Sequence, residues 1–137
     1  MLYIAFFIQF LLMLGLPVGL CMFLRRRFTE VSWSLIGAGV LTFILSQVFH
    51  LPANWAMGLL GGGRGVALWP LPLMAAVAGL SAGVFEEGAR YLVLRYWKRD
   101  ARSWAAGLGF GAGHGGIEAL IVGSLVLLTF INMIITR

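Results

Sequence analysis

Apolar residues fall into four long runs along this chain, separated by short polar or glycine-rich segments. A helix needs about 20 mostly apolar residues to cross the hydrocarbon core of a bilayer. The pattern therefore predicts an all-α, polytopic membrane helix bundle with about four transmembrane helices, forming a single transmembrane domain over residues 1–137. The predicted helices cover about residues 2–24, 33–51, 71–96 and 104–135. We interpret the first as a retained helix, because no basic residue precedes its apolar run as in a signal peptide.

Composition excludes a soluble enzyme and a disordered chain. Hydrophobic residues make up 61% of the sequence and charged residues 11%, against about 45–50% and about 25% in globular proteins. A chain of 137 residues has too little interior to hide so much apolar surface from water. The net charge of +5 does not indicate nucleic-acid binding, because the basic residues lie in short clusters between the apolar runs.

These basic clusters predict the orientation in the membrane. Seven basic residues lie in the first and third loops: Arg25, Arg26, Arg27, Arg95, Lys98, Arg99 and Arg102. Only Arg64 in the middle loop and Arg137 lie on the other side. The positive-inside rule then places loops 25–32 and 97–103 in the cytoplasm and the N-terminus outside. Tryptophans at the predicted helix ends are typical of membrane interfaces: Trp33, Trp69, Trp97 and Trp104.

The middle loop is rich in glycine around Arg64, but no Gly-Lys-Ser/Thr follows as a phosphate-binding loop requires. We interpret it as a flexible external connection that includes Gly61 and Gly62, with a short interfacial helix at about 55–60. The preceding helix is predicted to end at Pro52, because proline disrupts a regular helix.

Ionisable residues inside the predicted helices are the main indication of function. They include Glu86, Glu87, Arg90, His114 and Glu118. A charge at membrane depth costs roughly 2.5 to 3.5 kcal/mol on insertion scales, so it must be paired or face a cavity. Arg90 lies four residues after Glu86 and three after Glu87, so all three share a helix face. Arg90 can hold one carboxylate, which leaves the other free to act as a general base toward water. The alternative is an ion pair that only fixes helix packing.

His114 and Glu118 lie four residues apart on one face of the fourth helix. The carboxylate can orient the imidazole, or both can bind a divalent metal; a purely structural pair is the alternative. Glu86 and His114 each lie ten residues from the predicted cytoplasmic ends of their helices, near Tyr96 and Trp104. Both are thus about 15 Å deep, and the short connecting turn makes the helices antiparallel neighbours. We therefore predict that the two polar clusters meet.

Two further features bear on this predicted site. Glycines flank His114 in two stripes, one formed by Gly107, Gly111 and Gly115 and one by Gly109 and Gly113. Such stripes allow close helix packing, and we expect a cavity beside the imidazole. His50 and Asn54 are also four residues apart, near the outer end of the second helix. They are interpreted as a polar helix end, or as a second histidine that completes the site.

At these residues the sequence resembles the YhfC family of bacterial membrane proteins, relatives of the CAAX-protease, bacteriocin-processing and PrsW-type proteins. Glu86-Glu87-Gly88-Ala89-Arg90 is similar to the superfamily's first motif, a glutamate pair followed by a basic residue. Phe110-Gly111-Ala112-Gly113-His114 is similar to its second, Phe-x-x-x-His. The resemblance implies an intramembrane metalloprotease of the bacterial cytoplasmic membrane. Glu86, Glu87, Arg90 and His114 would be catalytic and Glu118 supporting, with zinc or another divalent metal held by His114 and less securely by His50.

Two departures qualify the resemblance. CAAX enzymes place three residues between the glutamate pair and the arginine, whereas here only Gly88 and Ala89 intervene, which favours the YhfC or PrsW branch. The superfamily's third motif, on a later helix, is absent from the 137 residues. We therefore expect an N-terminal portion of a family member, with partner helices or an oligomer completing the site and a membrane-protein or peptide substrate.

Two other functions are consistent with the sequence. One is a non-catalytic membrane scaffold that keeps the same polar core, as a distantly related gamma-secretase subunit does. The other is an ion-coupled transporter, since buried acids, arginine and histidine also mark proton and ion paths.

Overall fold

A computed structural model of the chain describes residues 2–60 and 63–136. Over these residues it contains four α-helices and no β-strand. The helices are α1 (Leu2–Arg27), α2 (Trp33–Ala56), α3 (Leu71–Leu92) and α4 (Trp104–Ile135); a 3-10 turn covers Gly65–Leu68, and a π-helical turn, Val93–Trp97, follows α3. The predicted all-α membrane helix bundle is therefore confirmed.

Three of the four helices are long and apolar enough to cross a membrane: Tyr3–Arg27 of α1, all of α2 and all of α4. Helix α3 is 22 residues long. Its hydropathy is lowered by the three charged residues of the predicted site, Glu86, Glu87 and Arg90. The least apolar helix is thus the one that carries the candidate chemistry.

The end of α2 differs from the prediction. The helix does not stop at Pro52 but continues through it to Ala56. An internal proline costs about 3 kcal/mol, since it removes a backbone hydrogen bond and crowds the preceding turn. A side-chain hydrogen bond of 2.8 Å between His50 and Asn54 spans the proline and holds the last turn in place.

The loop after α2 also differs from the prediction. Helix α2 itself ends at Ala56, and the short helical segment of the loop is Gly65–Leu68 rather than about 55–60. Arg64 lies 4.6 Å over the Trp55 ring and donates a hydrogen bond to the Trp55 carbonyl oxygen. Gly58 adopts a φ of +78° beside the Arg64 backbone, a conformation that favours glycine. Gly61 and Gly62, where a flexible connection was predicted, lie outside the described residues.

The chain divides into two compact units. The first unit comprises Met1–Val40 and Asp100–Arg137, and the second comprises Leu41–Arg99. The boundary falls inside α2, so this helix contributes its first residues to one unit and the remainder to the other. That the chain forms a single transmembrane domain stays a prediction.

Helices α1 and α4 pack antiparallel in the first unit. Phe130 near the end of α4 contacts Tyr3 near the start of α1, with ring centroids 6.1 Å apart. At the opposite end Phe28 contacts Trp104 edge-on at 6.0 Å. Ser103, the N-cap of α4, also donates a hydrogen bond to Glu30 there. The residues that follow Arg27 and those that precede α4 therefore lie at the same end of the first unit. The orientation in the membrane stays a prediction.

One glycine stripe of α4 packs against the start of α2. A Cβ added at Gly109 would lie 2.7 Å from Val31 Cγ1. A Cβ at Gly113 would meet the backbone carbonyl oxygen of Ile36, and one at Gly39 of α2 would meet that of Phe110. The two backbones thus approach each other closely, which only residues without a side chain allow.

The other glycine stripe lines a cavity. Gly107, Gly111 and Gly115 have no atom within 4 Å of an added Cβ. Together with apolar residues of α1, they line a cavity of ≈ 740 Å³. The first unit therefore has a cavity along this glycine stripe, but it is not the one expected beside the imidazole, because its lining is apolar and does not include His114.

Candidate functional site

Helix α3 presents two carboxylates to one guanidinium. Arg90 Nη2 lies 3.4 Å from Glu86 Oε2 and 3.2 Å from Glu87 Oε1. The carboxylates differ in burial, since the Glu86 side chain is 19% exposed and the Glu87 side chain 68% exposed. We expected Arg90 to hold one carboxylate and leave the other free; instead it contacts both. Glu86 differs from Glu87 in being much less exposed to solvent.

Glu86 is also linked to α2 through a residue that we did not single out in the sequence. Gln47 Nε2 donates a hydrogen bond of 3.4 Å to Glu86 Oε1. The Gln47 Oε1 atom lies 3.3 Å from Nδ1 of His50, which is one turn later on α2. Because the two residues are three apart, they share a helix face, and that face is directed at α3. Gln47 therefore connects the carboxylate with the histidine.

His50 is enclosed on every polar side. Its ring is 8% exposed and stacks on Phe85, with centroids 5.6 Å apart. Asn54 Nδ2 lies 2.8 Å from His50 Nε2, and Asn54 Oδ1 accepts a 3.0 Å hydrogen bond from Ser81 of α3. Both ring nitrogens of His50 therefore have a partner in the second unit.

Gln47 and Ser81 are the site residues that the sequence did not reveal. Neither is charged, and serine is common in membrane helices, where it bonds to neighbouring helices. The available signal was the spacing of Gln47, His50 and Asn54, which at i, i+3 and i+7 places three polar side chains on one face of an apolar helix.

His114 and Glu118 belong to the first unit. The His114 side chain is buried at 5% exposure, as is Phe110 of the same motif at 3%. Glu118, one turn further along α4, is exposed. The role of Glu118 as a support for His114 stays a prediction. The predicted meeting of Glu86 with His114 would join the two units and stays a prediction as well.

The described residues do not by themselves form the metal site that the resemblance implies. Across residues 2–60 and 63–136, no three or more His, Cys, Asp or Glu side chains lie together in an arrangement that could hold an ion. Zinc sites in enzymes use three protein ligands. The geometry also disfavours His50 as a ligand, because both of its ring nitrogens are engaged by Gln47 and Asn54.

Comparison with known proteins places these features in a family. The family model described as YhfC intramembrane metalloprotease matches residues 12–136. A curated relative, "Uncharacterized membrane protein YhfC" of Bacillus subtilis (strain 168), is 34% identical over 127 residues. That alignment covers 85% of this chain and 45% of the relative, so the chain spans about half the relative's length. No solved structure matches the chain.

Proposed function

The chain belongs to the YhfC intramembrane metalloprotease family, and from this membership we propose that it is a membrane peptidase in which Glu86 activates water. The observation that carries the proposal is the arrangement around Glu86. Its carboxylate is sheltered within the bundle, held by Arg90 on one oxygen and by Gln47 on the other. The family name also favours a divalent metal, and zinc stays a prediction.

Glu86 is assigned the proton transfer. Its carboxylate accepts a proton from water while the water oxygen attacks the carbonyl carbon of a peptide bond. A new C–O bond forms, the C–N bond breaks, and Glu86 passes the proton to the departing amine. Arg90 keeps the carboxylate oriented through a charge-assisted contact. Glu87, which is more exposed, shares Arg90 and is assigned a secondary role.

His114 is proposed to act in the same reaction, by polarising the substrate carbonyl or by binding the metal. Support comes from its burial within an apolar helix, where an ionisable group is costly. It also comes from the Phe110 to His114 motif, which lies inside the region that the family model matches.

The test is a cleavage assay with the full chain in liposomes. The probes are single-span apolar peptides that carry a fluorophore and a quencher at opposite ends. We expect cleavage by the wild type and none above background when Glu86 and Glu87 are both replaced by glutamine. Asp100→Asn, a carboxylate-to-amide change in the turn before α4, is the matched control and should keep wild-type activity. Undiminished cleavage by the double variant would contradict the proposal.

A scaffold is the second candidate, because the hydrogen bonds from α2 to α3 would also serve only to hold the helices together. In that case no peptide is cleaved by any variant. Other membrane proteins would instead co-purify with the chain, and His114→Ala would release them.

Zinc binding should distinguish the two histidines. His50 has both ring nitrogens engaged, so His50→Gln is expected to leave the zinc content of the purified chain unchanged. His114→Ala is expected to lower whatever zinc the wild type retains. Inductively coupled plasma mass spectrometry after zinc loading and dialysis measures both. A loss of zinc in His50→Gln would show that the hydrogen bonds of His50 do not exclude it from metal binding.

A further inference from the structure

We propose that Gln47 is a positioning residue for Glu86, and that it forms part of a directional hydrogen-bond chain running from Ser81 through Asn54 and His50 to the carboxylate. This hydrogen-bond chain lies wholly within the second unit and joins α2 to α3. Its existence follows from the geometry alone. Its consequence for catalysis rests on the proposed function of Glu86.

The orientation of the Asn54 amide gives the hydrogen-bond chain its direction. Asn54 Oδ1 accepts from the Ser81 hydroxyl, and the Asn54 amide nitrogen is turned toward His50. An amide nitrogen donates and does not accept. Nε2 of His50, 2.8 Å away, must therefore accept and carries no proton. The imidazole is then neutral, with its single proton on Nδ1.

The same logic fixes the rest of the chain. The Nδ1–H of His50 donates to Gln47 Oε1. The Gln47 amide nitrogen is consequently turned toward α3, where it donates to Glu86 Oε1. Every donor along the chain meets an acceptor, which is the condition under which a buried polar network specifies one arrangement.

Glutamine is the residue type that this position requires. The side chain must accept from an imidazole on one side and donate to a carboxylate on the other. Glutamate at position 47 would place an oxygen against Glu86 and repel it, and leucine would leave both partners without a bond. Glutamine supplies both functions from one planar amide.

Positioning of Glu86 follows from these contacts. Gln47 holds Oε1 from α2, and Arg90 holds Oε2 from α3. The carboxylate plane is thus fixed by two donors on two helices.

The hydrogen-bond chain can be tested through the tautomer of His50, without measuring activity. The protein contains two histidines, so ¹⁵N spectra of histidine-labelled protein in micelles contain two imidazoles. Their assignment follows from the signal lost in His50→Gln. We expect His50 to be neutral and protonated on Nδ1, because the tautomer is set by the partners of the ring nitrogens. A proton on Nε2, or on both nitrogens, at neutral pH would overturn the proposal.

Variants at Gln47 test the positioning role. Loss of a hydrogen-bond partner that orients a functional group typically costs about 10- to 100-fold in activity. We expect Gln47→Leu to lower kcat for the peptide probe by that factor with little change in KM, and to reduce the Nδ1-protonated form of His50. Gln9→Leu is the matched control, since Gln9 is exposed on α1 and should tolerate the same change.

Exchanging the side chains at positions 47 and 86 separates the hydrogen-bond chain from the proton transfer. In Gln47→Glu/Glu86→Gln, residue 47 accepts from both His50 and residue 86, so the Nδ1 tautomer should return while cleavage stays absent. Wild-type cleavage by Gln47→Leu would overturn the positioning role and leave the peptidase proposal intact. The expected tautomer without any cleavage by the wild type would reject the peptidase and keep the network.

Discussion

Replacing Glu86 alone by glutamine is expected to lower the cleavage rate by at least about 100-fold, the loss typical of removing a general base. Replacing Glu87 alone is expected to cost less than about tenfold, because exposed ion pairs contribute little. The two side chains differ in solvent exposure: the Glu86 side chain is 19% exposed and the Glu87 side chain is 68% exposed. Only Glu86 is also bonded to α2, through Gln47.

Initial rates with the quenched single-span peptide in liposomes measure this difference. Far-ultraviolet circular dichroism and thermal melting of each variant show whether the fold is kept. Asp100→Asn again provides the carboxylate-to-amide control outside the bundle. A larger loss for Glu87→Gln than for Glu86→Gln would assign the proton transfer to Glu87 instead. Equal large losses would indicate that the two carboxylates act as a pair.

The helices could be predicted from the sequence because bilayer thickness leaves few alternatives. The predicted starts at Trp33, Leu71 and Trp104 agree with the structure. The end of α2 was predicted wrongly, because proline was weighed by its intrinsic cost alone. The hydrogen bonds of Asn54 to His50 and Ser81 offset part of that cost, and they depend on α3, which no local pattern reveals.

The candidate site was predictable to the extent that it carries charge. Glu86, Glu87 and Arg90 stand out because each is costly inside a membrane, and the structure brings them together on α3. Gln47 and Ser81 do not stand out in this way. Their importance arises only once α2 faces α3, which tertiary packing decides.

The packing partners of the α4 glycines could not be predicted from the sequence either. Both stripes fit close helix packing equally well in the sequence. In the structure, Gly109 and Gly113 meet the start of α2, while Gly107, Gly111 and Gly115 border the cavity beside α1. The period of a helix gives the angle between the stripes, but the neighbour of each stripe depends on how the helices assemble.

The contrast between the stripes leads to a stability prediction with opposite signs at two glycines of α4. Gly113→Ala is expected to lower the free energy of unfolding by about 1–3 kcal/mol, the usual cost of overpacking. Its Cβ would collide with the backbone carbonyl oxygen of Ile36, which cannot move without displacing α2. Gly115→Ala is expected to raise the free energy of unfolding by about 0.5–1 kcal/mol. Its Cβ meets nothing within 4 Å, and alanine is the better helix former.

Denaturation by sodium dodecyl sulfate in mixed micelles, followed by circular dichroism, measures both variants. Gly39→Ala, on the α2 side of the same contact, should destabilise the chain to a similar degree, because its Cβ would meet the Phe110 carbonyl oxygen. The backbone nitrogen of His114 lies 2.9 Å from that same Cβ. The close approach of α2 and α4 therefore also determines where His114 is held. Equal stability of the Gly113 and Gly115 variants would show that the two backbones are not in contact.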